Sequence, residues 1–143
     1  MGAEQKNYNS GNERVVFTYK GFRILPQVCY DLRFPVWSRN KNDYDVLVCM
    51  ANWPAVRQKV WDVLLSARAI ENQSYVIGVN RVGVGGGLSY NGGTKVVNFK
   101  GDVIIEEELN KKTIIYSEID LEKLQQFKKK FPAYLDADDF IIT

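Results

Sequence analysis

The 143 residues carry 45% hydrophobic and 25% charged side chains, the balance of one soluble globular domain, which excludes disordered, collagen-like and disulfide-scaffold chains. Nineteen Lys and Arg against seventeen Asp and Glu leave a net charge of +2, too slight and too interspersed for a nucleic-acid footprint. No apolar run reaches the roughly 18 to 20 residues of a membrane helix, no secretory signal core opens the chain, and two cysteines cannot staple an exported domain, so a cytoplasmic protein is expected.

The first dozen residues are polar and rich in Gly and Asn, as in an arm. Residues 15–19 and 22–30 are β-branched and aromatic runs around Lys20-Gly21, which predicts two strands and a tight turn. Pro26 puts the second strand at an edge, at a bulge or late in its pairing. Pro35 suits the first turn of a short helix closed by residues 40–43. Residues 44–51 read as a strand buried on both faces. Over residues 55–72, Val56, Val60, Val63, Leu64, Ala67 and Ile70 recur at helical spacing, opposite Arg57, Lys59, Asp62, Ser66 and Glu71, which predicts an amphipathic helix. Residues 75–82 form another buried-type strand. This order predicts an α/β fold with right-handed crossovers and a partly parallel sheet.

Residues 83–93 hold six of the eleven glycines and read as a mobile or tightly turned loop, without the spacing of a phosphate-binding motif. Three strands are expected at residues 94–99, 103–109 and 114–119, joined by short turns. Asp120 then caps a helix from Leu121 to about Lys130, whose final Lys128, Lys129 and Lys130 read as a solvated last turn. Residues 131–143 form an apolar C-terminal arm expected to dock, a second subunit being one candidate.

The chain has no histidine, so Ser-His-Asp and Cys-His catalysis and most zinc sites are excluded, and neither metal nor cofactor is expected. Cys29, in QVCYDLRFP, lies where a strand gives way to a turn and a helix. On the residues alone it is either a nucleophile exposed at the end of a sheet or a small buried hydrophobe. Cys49, in the middle of an apolar run, reads as core. Asp31, Glu4, Arg33 and Glu71 are the charged residues that could assist Cys29.

GFRILPQVCYDLRFPVWSRN, followed by YDVLVCMANWPAVRQKVWDVLLSARAIENQSYVIGVNRVG, resembles the nitrilase (carbon–nitrogen hydrolase) superfamily, and more closely its omega-amidase branch in the bacterial YafV-like form. The resemblance runs from about Glu4 to the tail, and the joint presence of CYDLRFP and RAIENQSYV makes it specific. It implies the C-terminal half of a four-layer α-β-β-α sandwich, with residues 1–143 as a partial hydrolase domain and residues 131–143 as its arm.

The resemblance further implies a Glu-Lys-Cys mechanism on a small ω-amide such as 2-oxoglutaramate, through a cysteine thioester. Cys29 matches the nucleophile, and Glu4, in AEQKNYNSG, matches the family's second glutamate. The backbone N–H of Tyr30 matches an oxyanion donor, and Asn52 and Trp53, at the end of the next strand, are placed to line the substrate pocket. The family's general-base glutamate and its lysine find no counterpart; neither Lys6 nor Lys20 stands in the lysine's context. The isolated chain is therefore expected to be inactive, and to form a homo-oligomer or associate with the missing half. The alternative is an incompetent remnant serving as an interaction module.

Overall fold

The computed structural model describes residues 6–9, 11 and 13–140. Strand β1 (Phe17–Tyr19) turns through Lys20 (φ +47°) and Gly21 (φ +83°) into β2 (Phe22–Val28), and β2 runs parallel to β3 (Val46–Ala51) and β4 (Tyr75–Asn80). With β7 (Lys95–Val97) and β8 (Val103–Glu106) they make a six-stranded sheet in the order β1-β2-β3-β4-β7-β8, antiparallel at both ends. The crossovers carry α1 (Pro35–Ser38) and α2 (Gln58–Asn72), as the alternation of elements predicts. Pro26 fits because the main chain of Arg23 bonds toward β3, so alternation turns the nitrogen of Pro26 toward β1, and β1 pairs only with Phe22–Ile24.

Alternation also divides the core. Leu25, Leu47, Cys49, Val76 and Val97 face α2, where Trp61, Leu65 and Ala69 are fully buried. This corrects the predicted inward face of the helix in part, since Val60 and Leu64 pack against this core as predicted. The buried positions are Trp61, Leu65, Arg68, Ala69 and Asn72, whereas Val56, Val63 and Ile70 are more than half exposed. Two stripes of α2 are apolar, and the one carrying the largest side chain is seated on the sheet. It sits over Gly78, where a Cβ would lie 2.5 Å from Leu65 Cδ1 and 2.8 Å from Trp61 Cζ2.

The opposite face is covered mainly at the start of the strands. There Leu124 of α3 (Leu121–Lys130) packs with Val46, Tyr75 and Phe99, and Asp120 caps the helix by accepting from the Lys123 N–H. At the other end of that face Val28, Met50 and Val79 stand in register across three strands, each 42% or more exposed. Among the described residues the six-stranded sheet thus carries α2 on one face and α3 over part of the other, and a separate two-stranded sheet lies beside it.

Three further expectations change. Residues 83–93 are mostly a hairpin, β5 (Val82–Gly85) and β6 (Leu88–Asn91), turning at Gly86 and Gly87 with φ of +57° and +75°. Those values suit the right-handed twist of paired strands, so the glycines mark a turn. Residues 114–119 form no strand and pair with none, with Ile114 and Tyr116 at least three-quarters exposed. Lys128 is buried, while Lys129 and Lys130 face solvent as expected. In the arm, Phe131 and Leu135 are well exposed.

Candidate active site

Cys29 heads a 3-10 turn, Cys29–Arg33, at the C-terminal end of β2, and its φ is +47°. A non-glycine residue there carries backbone strain of order 1 kcal/mol or more, so the surroundings must hold it. Asp31 does so at close range: its Oδ2 accepts from the Val28 N–H at 2.9 Å and its carbonyl accepts from the Phe34 N–H at 2.9 Å. Cys29 thus stands between strand and turn with a left-handed backbone, partly buried against the core cluster of Leu25, Leu47 and Cys49. The first N–H groups of such a turn, that of Tyr30 among them, have no acceptor within it.

The two cysteines differ in kind. Cys29 is half-buried, whereas Cys49, paired with Gln27 across the parallel ladder, is fully buried, and that burial pushes its thiol up to about 12. A thiol that does not ionise near neutral pH is no nucleophile, so Cys49 is core as expected.

From beneath, the Arg68 guanidinium of α2 donates to the carbonyl of Leu32 at 2.7 Å and to Glu71 Oε1 at 2.8 Å. Gln27 and Ser38 exchange hydrogen bonds at 2.9 and 3.2 Å, which fastens α1 to β2. Of the charged candidates, Asp31 is spent on the turn and Glu71 on Arg68. Arg33 lays its guanidinium 4.9 Å from the centre of the Trp53 ring and 6.0 Å from that of Tyr30. Lys20, in the β1–β2 turn, stands by the Tyr19 ring. Glu4 lies outside the described residues.

Asn52 is exposed just beyond β3. The Trp53 ring is buried between Arg33 and Trp61, its indole N–H donating to the Arg57 carbonyl at 2.9 Å. The Trp53 main chain is held by Asn80, which accepts its N–H at 2.7 Å and donates to its carbonyl at 3.1 Å, and donates to that of Gly92 at 2.8 Å. Trp53 is thus a floor beneath Arg33. Sequence reasoning assigned no role to Arg68 or Asn80. The signal for Arg68 was an arginine between Leu65 and Ala69, on the stripe of α2 that turns inward.

A match to the carbon-nitrogen hydrolase family spans residues 3–129. The chain belongs to the carbon–nitrogen hydrolase family. Among relatives of this chain, the omega-amidase YafV of Escherichia coli strain K12 is 51% identical over 141 residues, which cover 98% of this chain and 55% of the relative. The 2-oxoglutaramate amidase of Bacillus subtilis is 32% identical over 130 residues, covering 90% of this chain and 50% of the relative. A CN-hydrolase superfamily protein of Xanthomonas campestris, solved with an arsenic adduct in its active site, superposes with a TM-score of 0.93 at 41% identity, over 99% of this chain and 56% of that one. The chain spans about half the length of the curated relatives it matches. No helix among the described residues is long and apolar enough to cross a membrane.

Proposed function

We propose that this hydrolase acts as an omega-amidase, cleaving the terminal amide of a small dicarboxylic acid, 2-oxoglutaramate or a close analogue, to the acid and ammonia. The observation that carries the reading is Cys29, held at φ +47° at the head of its turn in a chain half identical to an omega-amidase. The amidase names of two relatives favour this over an incompetent remnant.

In this reading the Cys29 thiolate attacks the amide carbon. A C–S bond forms, and the carbonyl electron pair moves to oxygen, where the Tyr30 N–H receives it. As that pair returns, the C–N bond breaks and ammonia leaves with one added proton. Water then attacks the thioester, giving up a proton, and the acid and thiolate separate. Glu4 is proposed as the second glutamate, supporting the proton transfers, with no cofactor. Asn52, a solvated amide beyond β3, is proposed to meet the polar end of the substrate, over the floor that Trp53 provides.

The bare row Val28, Met50 and Val79 supports a further proposal: this face is covered by association, with the remainder of a hydrolase domain or with a second copy. Two free thiols support a reducing, cytoplasmic setting. The test is ammonia release from 2-oxoglutaramate by the chain, alone and co-expressed with the part of the E. coli relative that it does not cover. Release that disappears in Cys29→Ala supports the function. Release untouched by that change, or none from a stable complex, refutes it.

A further inference from the structure

The RAIENQSY segment behaves as a hub, since four of its side chains each bind a different segment of the chain. Asn72 Oδ1 accepts from the Asn40 N–H at 2.9 Å, and Gln73 Nε2 donates to the Phe131 carbonyl at 2.7 Å. The Tyr75 hydroxyl exchanges hydrogen bonds with the Asp120 main chain. Arg68 alone among them reaches the turn that carries Cys29.

From this geometry we infer that Arg68 is a positioning residue for the nucleophile: its bond to the Leu32 carbonyl, aimed by Glu71, keeps the Cys29 turn in its strained form. The inference rests on the reading of Cys29 as nucleophile. Three features of Arg68 carry it. The side chain is 5% exposed, so a cation has been taken out of water for a fixed purpose, and its Nε finds no partner among the described residues. A guanidinium presents several N–H vectors in one plane, and here one vector meets Leu32 and another meets Glu71. Glu71 is itself steadied by Asn72, whose Nδ2 donates to Glu71 Oε1 at 3.3 Å and to the Arg68 carbonyl at 3.0 Å.

Leu32 is the fourth residue of the turn and is fully buried, so its carbonyl is fixed relative to α2. Cys29, three residues earlier, would otherwise relax toward negative φ. Asp31 bonds only within its own neighbourhood and cannot fix the turn to the rest of the fold. Arg68 supplies that link from a separate helix. Loss of the link lets the thiol swing away from the N–H groups at the head of the turn, and with them goes a charge-assisted interaction, typically worth a tenfold rate effect or more.

The test is alkylation of the intact chain by iodoacetamide at neutral pH, with both cysteines followed by mass spectrometry. In the parent chain Cys29 reacts far faster than Cys49; equal rates there would overturn the nucleophile reading itself, before any variant is made. Given selectivity, Arg68→Met lowers the Cys29 rate about tenfold while Cys49 stays protected, which shows that the fold survives. Arg68→Lys keeps the charge but cannot serve Leu32 and Glu71 together, so it behaves like Arg68→Met. An unchanged Cys29 rate in Arg68→Met overturns the inference, as does full recovery by Arg68→Lys, which would assign the effect to charge alone. Exposure of Cys49 in Arg68→Met also overturns it, by showing that Arg68 holds the whole fold.

Discussion

The Lys128 ammonium lies 3.9 Å from the Asp45 carboxylate, in a buried corner where α3 meets the sheet. Its other neighbours are Asn42 Oδ1 at 3.2 Å and the Tyr44 carbonyl at 3.3 Å. Burial would raise the Asp45 carboxyl, yet three hydrogen bonds from Arg23, two from its side chain and one from its main chain, and the Arg23 charge, with help from Lys128, bring it below its usual range. Burial lowers Lys128 to about 8 from its ordinary 10.5, with Asp45 opposing the change and Arg23 adding to it.

The pH dependence follows in sign. Below about pH 8 Lys128 is charged in both states, and the native protein bears the burial penalty in full. Between about 8 and 10.5 the unfolded chain keeps a proton that the native chain has released, so the stability contributed by this side chain rises with pH. Cys49, raised to about 12, works the other way above its ordinary 9.0. Comparison with Lys128→Met cancels that opposing effect. The melting-temperature difference should move in favour of the parent chain as pH rises from 8 to 10; a flat difference would count against a buried, depressed Lys128.

Asn80 joins the ends of two strands through its side chain, and its own main chain bonds Thr94 at 3.1 and 3.3 Å. Asn80→Ala strands a Trp53 N–H and carbonyl and the Gly92 carbonyl in a buried place. Each orphaned group costs about 1 to 3 kcal/mol, so a loss of roughly 3 kcal/mol in urea denaturation is expected. Asn80→Asp keeps the acceptor for Trp53 but neither amide donor, and should recover only part of it. A loss below about 0.5 kcal/mol in Asn80→Ala, the range of ordinary surface changes, would show that the network carries no weight.

How far the sequence could be read depended on what each element packs against. The parallel β2-β3-β4 core was legible because runs such as residues 44–51 are nearly continuously apolar, broken only by Asp45, and bounded by turn residues, although the expected burial of both faces fails at Met50, which is 50% exposed. The Asp120 cap was legible because capping is local. The seat of α2 was not: Val63 and Ile70 obey helical spacing as well as Trp61 and Leu65 do, and only the notch over Gly78 decides between them. Lys128 was misread because nothing local distinguishes it from Lys129 and Lys130; Asp45 lies more than eighty residues away. Residues 114–119 have strand composition without a strand neighbour, and pairing is not a local property.

The candidate site divides in the same way. The place of Cys29 at the junction of strand and turn was legible, because the switch from an apolar run to CYDLRFP is local, whereas its left-handed backbone was not. Arg68 could not, because its partner is a main-chain oxygen 36 residues away, and composition says nothing about that.

The most direct measurement is trapping of the acyl-enzyme. The chain, assembled with the remainder of the E. coli relative, is mixed with 2-oxoglutaramate, quenched in acid and digested, and the peptides are examined for a thioester that hydroxylamine releases. The adduct is expected on the peptide carrying Cys29, and is lost in Cys29→Ala with Cys49 intact. An adduct on Cys49, or ammonia release that persists without any adduct in Cys29→Ala, would contradict that expectation.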